Sequence, residues 1–136
     1  MTGESNLSIL LRSMEPVLHA DTFGFFSLPE PQALPLLSQS QGFFHESEGW
    51  TLILSATIAE KHSLELGQPW ALVTLNIHSS LLAVGFLSSI SSALAAAGIS
   101  LNAISAYYHD HLFVPWHLRN QACTVLNDLI NAQPSA

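Results

Sequence analysis

The chain has 136 residues, of which 49% are hydrophobic and only 10% charged, with a formal net charge of -7. That apolar fraction excludes a disordered chain and supplies a core for one ordinary domain, or for two very small ones that share it. Three cations (Arg12, Lys61 and Arg119) against ten acids leave no track for phosphates, so neither nucleic acid nor an anionic membrane is an expected partner.

In chain order, "SNLSILLRSM" predicts a short amphipathic helix capped by Asn6, with Leu7, Leu10, Leu11 and Met14 inward. The aromatic run "TFGFFSLP" ends at proline, as a strand would. Pro29, Pro31 and Pro35 make "PEPQALPLLSQSQG" a loop with at most one helical turn. "GFFHESEGWTLILS" reads as a hairpin turning at Glu46, Ser47, Glu48 and Gly49. Thr57 and Glu60 have capping-box spacing, so a short helix follows before the linker "LGQP".

"WALVTLNIH" alternates, with Val73, Leu75 and Ile77 on one side and Thr74, Asn76 and His78 on the other: a strand with one covered face. A helix from about Gly85 places Phe86, Ile90, Ala93, Leu94 and Ala97 on one stripe, and Gly98 sits where a left-handed cap belongs. "SLNAISAYY" and "LFVP" are two strands joined by a tight turn at His109 and Asp110. Tyr107 and Tyr108 then alternate faces, one in the core and one outside. "WHLRNQACTVLNDLINA" is a last helix with Leu118, Ala122, Val125, Leu126 and Leu129 inward.

No Asp, Glu, Lys or Arg occurs from Leu66 through His109. Ser88, Ser89, Ser91 and Ser92 break the apolar run short of the ~20 residues a membrane span needs, so a helix whose uncharged outer face packs on a partner is expected, and no membrane. Cys123 is the single cysteine, so neither an intrachain disulfide nor a thiolate zinc site can form. With an acidic, serine-bearing start, the cytoplasm is the expected compartment.

These elements predict an α+β fold of two ferredoxin-like (βαββαβ) units side by side, over residues 1–68 and 69–136. The first has an eroded first helix and the second lacks its final strand. Interlocking would make up the shortfall, with an early segment such as "PVLH" completing the second sheet.

The crowded stretch "SAYYHDHLFVPWH" admits two readings. His109 and His111 could share a metal with His78 or His117, since residues two apart in a strand share a face. The turn reading is preferred, because aspartate beside a strand end hydrogen-bonds its own backbone. There is no "GxSxG" nucleophile motif, Cys123 reads as a half-buried structural thiol, and Glu46 and Glu48 read as solvated at a turn tip. No catalytic residue, metal or cofactor is assigned.

"LVTLNIHSSLLAVG", then "GFL" at Gly85 to Leu87, "GIS" at Gly98 to Ser100, and the start "TGE..L..LLRSMEPVL" resemble the ACT domain. That module binds amino acids in aspartokinases and other metabolic enzymes. Along nearly its whole length the chain is similar to bacterial stand-alone proteins built of paired ACT-like domains. The resemblance implies a ligand site between the first strand and first helix of an ACT-type unit, closed by a second strand. Backbone amides of Ala83, Val84, Gly85 and Phe86 would hold an amino acid's carboxylate, with Ser79 and Ser80 adding hydroxyls. Asn102 and the carbonyls of Asn102, Ala103 and Ile104 would accept from its ammonium. The expected function is therefore a non-enzymatic regulatory or sensing module for an amino acid or similar small metabolite, in a homodimer. The alternatives are an interaction module with a vestigial site and, behind it, a metal-dependent enzyme at His109, His111 and His78.

Overall fold

Asn6 opens the first element: its Oδ1 accepts from the Ile9 N–H at 3.1 Å and starts helix α1 (Leu7–Ser13), which buries Leu10 and Leu11. A computed structural model describes residues 3–134. After α1 come strand β1 (Pro16–Leu28), helix α2 (Glu30–Ala33), a 3₁₀ segment (Leu34–Gln39), β2 (Gly42–Glu46), β3 (Gly49–Ser55) and α3 (Ala56–Lys61). The second half holds β4 (Trp70–Leu75), α4 (Phe86–Ala96), β5 (Asn102–Ser105), β6 (Asp110–Pro115), a short 3₁₀ turn (Trp116–Leu118) and α5 (Arg119–Asn131).

The chain divides into two compact units: the described residues through Ala20 with those from Ala71 onward, and Asp21–Trp70. Strand β1 contributes its first residues to one unit and the rest to the other. In the first unit the strand order is β1-β4-β6-β5, and "PVLH" is indeed its outer strand beside β4. β4, α4, β5, β6, α5 and that strand make a complete ferredoxin-like set. Its core gathers Leu10, Met14, Val73, Leu75, Ile90, Leu94, Leu112 and Leu126, so α1, α4 and α5 all bury their stripes there. Helix α4 ends as predicted: Gly98 N–H donates to Ala95 O and Ile99 N–H to Leu94 O, the paired bonds of a Schellman cap, and Ile99 is buried.

In the second unit the order is β2-β3-β1, all antiparallel, with Phe23 opposite Ser55 and Phe43 opposite Leu52. Leu28, Ala33, Leu36, Leu52 and Leu54 form its small core.

Four local expectations are corrected. The proline-rich loop is helical from Glu30 to Gln39: Pro31 sits in a first turn where no N–H is needed, and Pro35, lacking the N–H an α-helix would use, tightens the continuation to 3₁₀. Helix α3 is capped by Ser55, whose Oγ accepts from Ile58 N–H at 3.3 Å, two residues earlier than a Thr57 cap would be. Strand β4 stops at Leu75, where Ile77 N–H folds back onto Leu75 O, so Asn76 and His78 lie in a loop. The β5–β6 turn spans Ala106 to His109, closed by Ala106 N–H to His109 O at 3.0 Å; Tyr107 and Tyr108 therefore both sit outside, 56% and 52% exposed. Among the described residues no helix is long and apolar enough to cross a membrane.

Candidate functional site

The loop from Asn76 to Gly85 carries the chemistry of the first unit. Ala83 N–H donates to Ser80 O at 3.0 Å and Leu82 N–H to Ser80 Oγ at 3.1 Å, so Ser80 organises its own turn. The loop enters α4 through Gly85 at φ +88°, a left-handed backbone that glycine alone adopts without strain. Gly85 brings no side-chain oxygen to the first turn of α4, whose N–H groups are left for another acceptor.

Beside this entry lies a pocket of about 80 Å³. The loop lines it with Ser79, Ser80, Leu81 and Ala83, α4 with Phe86 and Leu87, and the β5–β6 junction with Ser105, Ala106 and Asp110. Asp110 is only 6% exposed. Its Oδ2 accepts from Ser79 Oγ–H at 2.9 Å and its Oδ1 from Ser105 Oγ–H. Among the described residues no lysine or arginine lines the pocket, and the side-chain partners of this buried carboxylate are two hydroxyl groups.

Of the residues singled out from sequence, Ser79, Ser80, Ala83 and Phe86 line this pocket. Gly85 shapes the helix entry without lining it, and Val84 points away, 84% exposed. In β5, Asn102 is exposed, Ala103 packs on the first unit's core and Ile104 is exposed; none of the three lines the pocket. From sequence, Asp110 belongs to the turn between the last two strands. In the structure it starts β6, opposite Ser105, after the turn has closed at His109. One signal could have found it: it is the first charge after a stretch that carries none from Leu66 to His109.

The histidines go elsewhere. Thr74 Oγ1 sits between His19 Nε2 at 2.8 Å and His111 Nδ1 at 2.9 Å, donating to one ring and accepting from the other. The His109 and His111 rings stand 6.2 Å apart, and the His78 ring lies 4.9 Å from that of Tyr108, tilted by 51°. Among the described residues no three His, Cys, Asp or Glu side chains converge as a metal site would need. Burial, first, and then the neighbouring His109 and His19 push the His111 pKa down, against a smaller upward pull from Asp110. The unfolded chain, with an ordinary imidazole near pH 6.5, then binds more protons than the folded one as pH falls. Stability should be full above about pH 6.5 and decline below it as His111 is forced to charge, and His111→Asn should flatten that decline in urea titrations. The Cys123 thiol is pushed up by burial and stays protonated at neutral pH, a poor nucleophile.

Residues 2–71 match a family described as ACT domain, and residues 66–128 match a second family of the same description. A comparison with curated proteins finds no match. Among solved structures, VC0802 from Vibrio cholerae, described as of unknown function and as a possible transport protein, is 40% identical. It aligns over 88% of this chain and 92% of its own with a TM-score of 0.78. The regulatory subunit of aspartate kinase from Thermus flavus shares 12% identity over 95% of this chain and 99% of its own, at a TM-score of 0.56. The aspartokinase alpha and beta subunits share 12% over 85% and 97%, at 0.64. At that identity these two are similar in fold alone.

Proposed function

The chain belongs to the ACT-domain family, and on that premise we propose that it is a non-enzymatic regulatory module that binds a small amino acid in the pocket between β4 and α4. Asp110 carries the proposal. A buried carboxylate whose side-chain partners among the described residues are two serine hydroxyls still has acceptor capacity, and an ammonium group is the cation that would use it. The uncapped first turn of α4 offers N–H donors and a favourable dipole for the carboxylate at the other end of a zwitterion. The hydroxyl protons of Ser79 and Ser105 are committed to Asp110, which fixes both side chains at the pocket wall and suits recognition.

Thermal shift against the proteinogenic amino acids tests this. Stabilisation should grow with concentration as RT ln(1 + [L]/Kd), for small zwitterions first, given the pocket's size. A second reading, an interaction module with an idle pocket, is favoured by the exposed Leu82 and Val84, 86% and 84% exposed, on the pocket loop. No shift with any amino acid, from a chain that remains associated in size-exclusion with light scattering, would select it. We further infer a homodimer in the cytoplasm: β2 and β5 each end a strand order with one unpaired edge, and the single cysteine needs no oxidising compartment.

A further inference from the structure

The pocket loop is gripped from outside by a segment far from it in sequence. Glu4 N–H donates to His78 O at 2.8 Å, and Ser80 N–H donates to Glu4 O at 2.8 Å, a parallel bridge in which Glu4 is paired with Ser79. Gly3 lies flat on the same loop: a Cβ there would stand 2.6 Å from Ser79 C, 2.7 Å from His78 O and 2.7 Å from Ser80 N, all of them backbone atoms with nowhere to go. The Glu4 carboxylate accepts from the N–H groups of Ser5 at 2.9 Å and Asn6 at 3.1 Å, which ties this strap to the start of α1. Helix α1 then touches the far end of the loop, with Leu7 Cδ2 3.4 Å from where a Cβ on Gly85 would be. At the near end, Asn76 N–H donates to Glu15 O at 3.1 Å.

We propose that residues Gly3 and Glu4 form a positioning strap for the ligand pocket, holding Ser79 and Ser80 at the height from which Ser79 reaches Asp110. The proposal rests on the amino-acid reading of that pocket only for its effect on affinity. The strap contributes no side chain to the pocket; it sets where the loop's backbone stands. Any side chain at position 3 must lift the strap or push the loop inward, and either displaces Ser79. By reciprocity, an amino acid that needs the loop in place also holds the strap down.

The test uses the full chain and two variants. Gly3→Ala inserts the forbidden Cβ, and Glu4→Pro deletes the N–H that donates to His78 O, sets a ring carbon against that oxygen and removes the carboxylate that accepts from Ser5 and Asn6, so that one variant remains if the other misfolds. Amide hydrogen exchange is read without ligand, and titration calorimetry uses glycine, L-alanine and L-serine as probes. Losing one such hydrogen bond should speed exchange at Ser80 N–H by about tenfold, and weaken probe binding by about the same factor. Core amides at Leu94 and Leu112 should exchange as before. A merely structural strap would move core exchange and leave Ser80 no more affected than the rest, which overturns the proposal, as does unchanged protection of Ser80 in both variants. If no probe binds even the unmodified chain, the amino-acid reading falls, and the exchange at Ser80 still decides for or against the strap.

Discussion

Replacing Asp110 by alanine is expected to destabilise the chain by about 2–3 kcal/mol and to abolish any thermal shift with amino acids. The carboxylate accepts from Ser79 and Ser105, and removing it leaves the buried Ser79 hydroxyl without its acceptor. Asp110→Asn separates the two effects. The amide keeps the volume, accepts from one serine and donates to the other, so most of the stability returns. It presents an N–H group where an ammonium would need an acceptor, so binding should stay lost. Urea denaturation of both variants, beside thermal shift with glycine and L-serine, provides the comparison. A full ligand response from Asp110→Asn would move the ammonium contact elsewhere.

Leu10→Ala should cost about 2–5 kcal/mol, the range for emptying a fully buried leucine site. Leu10 lies near the start of the chain, yet its neighbours in the core cluster include Ile90, Leu94, Leu112 and Leu126, all from the second half. A chain whose first twenty residues folded only with the segment that follows them would leave that core intact without Leu10. A urea midpoint that barely moves would therefore contradict the composition of the first unit. Phe44→Ala, at a largely exposed site on an edge strand, should change stability by only about 0.5 kcal/mol and serves as the control.

Much of the fold was legible because it depends on neighbours in the chain. Asn6 caps α1 because its side chain reaches an N–H three residues on, and Gly98 ends α4 because its own backbone can turn left-handed. The "GFFHESEGWTLILS" hairpin closes around a two-residue tip for the same reason. Where nearby signals competed, the chain chose otherwise. Ser55 took the cap that Thr57 was spaced for, since the helix began one position after the strand ended. The tyrosines fell in the turn because Ala106 N–H found His109 O before a second strand could include them.

Half of the pocket was legible for a related reason. Ser79 through Phe86 are consecutive, and a strand, a loop and a glycine-led helix announce a helix N-terminus wherever they occur. The opposing wall was not. The sequence pointed to Asn102 through Ile104, consecutive residues of a strand; the structure brings Ser105, Ala106 and Asp110 to the pocket, because that choice depends on where β5 ends against the loop.

Composition, alternation and capping residues were enough to specify an α+β chain, most of its helices and strands and the absence of charge in its middle, whereas the family rested on the resemblance of "LVTLNIHSSLLAVG", "GFL" and "GIS" to the ACT domain. Which distant groups meet was left to tertiary structure: Asp110 with Ser79, Thr74 between His19 and His111, Gly3 under the Ser79 backbone, and Leu10 in a core made mainly by the second half. Local propensity acts through bonds spanning a few residues, whereas these contacts arise from burial and hydrogen-bond satisfaction across tens of residues.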